Sequence, residues 1–235
     1  YAAFMHAVDA PRLELVRRLN QVSGATAQLV AMRQDLLRLA IDNPEIAIVD
    51  HDFKNLFLSW FNRGFLVIRP INWTSPAHIL EKIIAYEAVH EIDSWDDLRR
   101  RLQPEDCRCF AFFHPSMPDE PLIFVQVALT DAVSNSIQVI LSDDRNAISA
   151  ASATTATFYS ISNCQQGLAG ISFGNSLIKT VVQTLSRELP DLSVFVTLSP
   201  MPGFVSWCVG LNIQLDSPEP DDLRRIAAHY LINAK

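Results

Sequence analysis

No stretch of this 235-residue chain stays apolar for the 18 or so residues that a membrane-crossing helix needs, so no such helix is expected. Positive charge is scarce: 19 Lys and Arg against 26 Asp and Glu leave a formal net charge of −7. That balance offers no broad attraction for nucleic acid or an anionic membrane, so an anionic ligand would need a local site. Cysteine is sparse and unpatterned. Cys107, Cys109, Cys164 and Cys208 make neither a disulfide framework nor a zinc spacing, and no metal site is expected. Free thiols suit a reducing compartment, and with no secretory pattern after Tyr1 the cytoplasm is the expected location. Glycine is also scarce, with seven in all, and three of these lie between residues 167 and 174.

What is present is an ordinary soluble composition, 49% hydrophobic and 19% charged, on a chain long enough to bury a core. Up to Gly64 the apolar residues recur at helical spacing. Asp9 before Pro11, Ser23, and Asn43 before Pro44 read as caps of three successive amphipathic helices, which suggests a bundle. Phe65–Ile71 reads as extended. Ser75-Pro76 opens a further helix, and Ser94 caps a short one with Asp96 and Asp97 in its first turn. Arg99-Arg100-Arg101 reads as that helix's solvated face. Runs at 107–114, 121–130, 135–142 and 156–162 read as antiparallel strands, with Pro115, Pro118 and Asp119 as breakers. An amphipathic helix carrying Leu177, Val181 and Leu185 and a strand at 193–198 complete an α+β pattern.

Two features point to chemistry. The glycine cluster lies at a strand-to-helix junction, where small residues let several N–H groups converge and the helix dipole adds positive potential. That combination suits a phosphate, although the spacing is neither the dinucleotide fingerprint nor a Walker loop. A turn shaped only by packing remains open. The second feature is Ser199, at the end of a strand and before Pro200 and Pro202. It reads either as a serine held at a site or as the cap of a short following helix.

The stretch from Phe158 through Asn163-Cys164-Gln165-Gln166-Gly167-Leu168-Ala169-Gly170-Ile171-Ser172-Phe173-Gly174-Asn175 resembles the core signature of the malonyl-CoA decarboxylases. Leu198-Ser199-Pro200-Met201-Pro202-Gly203-Phe204 is similar to a second motif of that family. Trp73–Pro76, Tyr86–His90 and Phe112–Pro115 match more weakly but in the same order. The resemblance implies a helical, oligomer-forming domain over 1–64 and an acetyltransferase-like (GNAT) mixed-sheet catalytic domain over 65–235. It implies decarboxylation of malonyl-CoA to acetyl-CoA and carbon dioxide. No separate cofactor is needed, because the thioester is itself the electron sink. The residues Ala169, Gly170, Ile171, Ser172, Phe173, Gly174 and Asn175 would hold the coenzyme A pyrophosphate, with Ser160 near the pocket and Ser199 at the malonyl group. The implied partners are the acyl-CoA and further copies of the chain, with no nucleic acid and no membrane. The family's catalytic histidine sits in a Phe-His-Leu-x-Asn-Gly-Ala context that none of the six histidines shares, so its segment is expected to be missing from the C-terminal side. An ordinary acetyltransferase and an inactive acyl-CoA-binding relative are the alternatives.

Overall fold

The computed structural model describes residues 11–134, 136–142, 144–200 and 203–211. Two compact units meet in sequence at Leu198 and Ser199 and are described separately.

In the first unit, α1 (Pro11–Leu19), α2 (Ala25–Leu39) and α3 (Ala47–Trp60) come first. Then follow β1 (Val67–Ile71), α4 (Ala77–Tyr86), α5 (Trp95–Leu102), β2 (Cys107–His114) and β3 (Met117–Thr130). The unit closes with α6 (Ile137–Leu141), β4 (Thr155–Asn163), α7 (Gly174–Glu188) and β5 (Val194–Thr197). The strands form one sheet in sequence order, antiparallel from β1 to β4, with β5 parallel to β4. This is the α+β architecture, helices first and mixed sheet after, that the sequence implied.

The sheet is the middle of three layers. Phe110, Phe112, Val125, Val127 and Phe158 face α2, α3 and α7, which bring Leu29, Val30, Phe53, Phe57, Leu177, Val181 and Leu185. Cys109, Ala111, Phe113 and Phe124 face α4 and α5, which bring Ile79, Leu80, Ile83, Leu98 and Leu102. Burial on both faces explains why β2 and β3 read as nearly unbroken apolar runs rather than alternating ones.

Several boundaries differ from the sequence reading. Residues 137–141 are helical rather than a strand. Ile137, Ile140 and Leu141 suit a helical face as well as a short strand, and Ile140 packs on Ala128 and Tyr159. β3 begins at Met117 and passes through Pro118 and Pro121, because the register against β2 shifts there and bulges tolerate proline. α2 starts from left-handed Gly24 rather than a Ser23 cap, and Asn43 makes no side-chain cap, whereas α4 starts from Pro76 as read. α3 ends at Trp60, before Gly64. Ser94 does cap α5, its Oγ accepting from the Asp97 N–H at 3.1 Å. Arg101 is not solvated: it is 6% exposed and donates to the carbonyls of His90 and Glu91 and to Asp97. Asp9 and the segment from residue 212 onward lie outside the described residues.

In the second unit α8 (Phe204–Gly210) starts from left-handed Gly203, and the Phe204 and Trp207 rings stack at 6.3 Å.

Candidate functional site

The glycine loop begins where β4 ends. The Cys164 N–H donates to the Leu122 carbonyl, a 3₁₀ turn spans Gln166–Leu168, and α7 starts at Gly174. Gly170 has φ +78°, a left-handed conformation that favours glycine. Beyond it the N–H groups of Ser172, Gly174, Asn175 and Ser176 reach no backbone acceptor among the described residues. The last three belong to the first turn of α7, where orphan amides and the dipole together favour an anion. A cleft of about 220 Å³ opens along the loop, lined by Asn163, Gln165, Ala169, Gly170, Ile171 and Phe173 among others.

The seven predicted loop residues divide into two kinds. Ala169, Gly170, Ser172 and Asn175 are exposed, and Gly174 is half-buried. Ile171 and Phe173 are buried in the core with Leu168 and Leu177, and so anchor the loop. The three glycines also differ. A Cβ on Gly167 would stand 1.9 Å from the Val30 carbonyl oxygen, so that glycine serves the packing of α2. A Cβ on Gly174 would meet only Ile123 Cδ1, at an ordinary 3.8 Å.

The sheet opens beside the loop. The parallel pairing of β4 with β5 runs from Thr155↔Val194 to Phe158↔Thr197, and the Leu198 N–H still reaches the Phe158 carbonyl at 2.8 Å. β4 continues without β5 to Asn163. Where the two strands part, β4 bulges: Gln126 pairs with Ser160 and Val127 with Phe158, leaving Tyr159 as the extra residue. Since the Cys164 N–H points at β3 and peptide direction alternates along a strand, the peptide groups of Ile161 and Asn163 face the side that β5 has left. Among the described residues no strand pairs with this edge, which leads to the glycine loop.

Ser160 lies on the α4–α5 side of β4, 1% exposed, and its Oγ donates to the Glu87 carboxylate at 2.7 and 2.8 Å. Glu87 also accepts from Gln126, Ser162 and the backbone N–H groups of Val89 and His90. Tyr159 adds its hydroxyl to Gln126 at 2.7 Å, and burial pushes its pKa well above the usual tyrosine value. Burial likewise raises the thiols of Cys164 and Cys109, which leaves them as inert apolar side chains. Glu87 falls within the Tyr86–His90 match, and nothing local in the sequence marks it as a hub beyond the placing of a carboxylate directly after an amphipathic helix, at the edge of a core.

Ser199 is exposed and stands two residues after the end of β5. It is not the cap of α8, whose N-terminal residue Gly203 provides no side-chain bond. Met201 and Pro202 of its motif lie outside the described residues.

Comparison with known proteins gives a consistent result. The family model for the malonyl-CoA decarboxylase N-terminal domain matches residues 1–61, and that for the C-terminal domain matches residues 64–234. A mitochondrial malonyl-CoA decarboxylase from Anser anser anser is 43% identical over 203 residues, covering 84% of this chain and 40% of that protein. The mitochondrial enzyme of Mus musculus is 39% identical over 232 residues, covering 91% of this chain and 46% of that protein. Crystal structures of malonyl-CoA decarboxylase from Rhodopseudomonas palustris (50% identity, TM-score 0.86) and Agrobacterium vitis (54%, TM-score 0.85) cover 98% and 94% of this chain. The chain spans 63% and 54% of those two structures, so it corresponds to a part of each of these relatives.

Proposed function

Because the chain belongs to the malonyl-CoA decarboxylase family, we propose that it takes part in converting malonyl-CoA to acetyl-CoA and carbon dioxide. The observation that carries this reading is the conjunction of a β4 edge that no described strand covers with a glycine loop in which the Ser172, Gly174, Asn175 and Ser176 amides reach no backbone acceptor among the described residues. In this reading the loop 169–175 holds the diphosphate and the pantetheine arm runs along β4 from Asn163 toward Tyr159. The acyl end then comes to the point where β4 and β5 part.

The chemistry needs little beyond positioning. The bond between the carboxylate carbon and the α-carbon breaks, carbon dioxide leaves, and the electron pair moves onto the thioester as an enolate. A proton taken up from solvent then joins the α-carbon to give acetyl-CoA. The protein must hold the carboxylate so that the breaking bond lies perpendicular to the carbonyl plane, and must donate hydrogen bonds to the enolate oxygen. One such donor is worth about 3–4 kcal/mol in comparable sites. Ser199 is assigned to orient the malonyl group. Ser160, tied to Glu87, supports the strand behind the pocket.

The test is carbon dioxide release from malonyl-CoA by the full-length protein with no acceptor present. Ser199→Ala should lower turnover about 100-fold or more while coenzyme A affinity stays within about threefold, as expected for an interaction made with the reacting group. Equal losses in both would remove Ser199 from the chemistry. Acyl transfer to an amine without decarboxylation would establish the acetyltransferase alternative.

The helical segment is assigned to self-association in the cytoplasm. Leu15, Leu19, Val22 and Met32 on and between α1 and α2 are 41–65% exposed and form an apolar surface suited to a second copy. Among the described residues no helix is long and apolar enough to cross a membrane.

A further inference from the structure

The N-terminal helices do more than offer an outer surface, because their inner side is built into the glycine loop. α2 turns Thr26, Leu29, Val30 and Arg33 inward at helical spacing, and Arg33 is 1% exposed. A charged guanidinium is kept in such a place only if its donors are satisfied. Here Nη1 donates to the carbonyls of Gly167 at 2.8 Å and Ala169 at 3.0 Å, and Nε donates to Asp50 of α3 at 2.8 Å. Gln34 adds a bond to Gln166 at 3.0 Å, and Gly167 leaves just enough room for the Val30 carbonyl. Two loop carbonyls are thus held toward the helices by a buried cation, which keeps their negative ends off the anion.

One turn beyond Asp50, on α3, is Lys54. Its side chain crosses Gly170 so closely that a Cβ there would stand 3.0 Å from Nζ and 3.1 Å from Cε. Lys54 is half-buried and has no carboxylate partner among the described residues. An ammonium held at the turn of a phosphate loop, with no carboxylate partner among the described residues, supplies charge that backbone amides lack.

We propose that the helical segment forms one wall of the phosphate site, with Lys54 a direct ligand of the coenzyme A phosphates and Arg33 the positioning residue that presents the loop. This rests on the glycine-loop reading above and extends it to residues outside the catalytic domain.

The experiment uses the full-length protein and two probes, coenzyme A and pantetheine, the second lacking every phosphate. Lys54→Gln should weaken coenzyme A binding about tenfold, the size expected for one charge-assisted contact. Lys54→Arg should restore most of it, and pantetheine should bind wild type and variant alike. Arg33→Lys keeps the charge but gives up the fork. It should weaken coenzyme A more than pantetheine, in protein whose far-ultraviolet circular dichroism matches wild type. Wild type that binds coenzyme A while Lys54→Gln binds it equally well would overturn this inference and leave the glycine loop standing. Arg33→Lys losing both probes equally would make Arg33 a structural residue only. Wild type that fails to bind coenzyme A at all would overturn the glycine-loop reading first.

Discussion

β4 behaves as two different strands joined at Tyr159. From Thr155 to Phe158 it is paired on both sides, with β3 and with β5, and Ala156 and Phe158 enter the large apolar core. From Ser160 to Asn163 it is paired with β3 alone among the described residues, and on the α4–α5 face it carries two serines tied to a carboxylate. The same strand is therefore built for stability at one end and left open at the other. Among the described residues no strand takes up the hydrogen-bonding capacity of β4 beyond β5, and the bulge lies where the parallel pairing ends. The difference is set by two features: the extra residue at 159 and the way β5 ends.

The division is most directly tested at its closed end. Phe158 is 2% exposed and its ring lies in the core with Val181 and Leu185. Phe158→Ala should cost about 3–5 kcal/mol of unfolding free energy, measured by urea denaturation. The protein that stays folded should bind coenzyme A within about twofold of wild type, a change below 0.5 kcal/mol. A collapse of binding in folded protein would show that the two halves are not separable.

A smaller effect is expected at the junction. Tyr159→Phe removes the bond to Gln126 and leaves that amide oxygen without its partner, at a cost of about 1 kcal/mol near neutral pH. The sign of its pH dependence follows from burial, which raises the Tyr159 pKa in the fold. The unfolded chain loses this proton first, so the stability contributed by Tyr159 is complete below about pH 10 and falls as the pH rises beyond it. Phenylalanine has no proton to lose. The gap between the two proteins in denaturant midpoint should therefore narrow between pH 8 and about pH 10.5. A constant gap would mean that Tyr159 is not held neutral by the fold.

How much of this was legible in the sequence depends on range. The amphipathic face of α7 and the glycine cluster before it are local patterns, and both were readable. The Ser94 cap was readable for the same reason. The run at 137–141 was misread because five residues fit either period. Arg33 and Gly167 are 134 residues apart, and Ser160 and Glu87 are 73 apart, so nothing local announces either contact. A trace existed in α2, where Arg33 falls on the same stripe as Thr26, Leu29 and Val30. A charge on a buried stripe signals a buried acceptor elsewhere, but the stripe cannot name it. The parting of β4 from β5 left no sequence signature, since Tyr159 looks like any other strand residue.

The smallest expected effect on stability is also the most informative about the open end. Gly167 and Gly174 are seven residues apart in one motif, yet only the first is demanded by the protein's own packing. At Gly174 an added methyl would make an ordinary contact with Ile123, and alanine suits the first turn of a helix at least as well as glycine does. Gly174→Ala should therefore leave the unfolding free energy within about 0.5 kcal/mol of wild type. If the residue is small so that a phosphate can approach the amides of α7, the same methyl intrudes on the ligand, and coenzyme A affinity should fall about tenfold or more, or 1.4 kcal/mol. Thermal unfolding with and without coenzyme A reads both quantities in one protein. Unchanged affinity would mean that the phosphate does not rest on this turn, and that the free edge of β4 serves something other than the arm of a coenzyme.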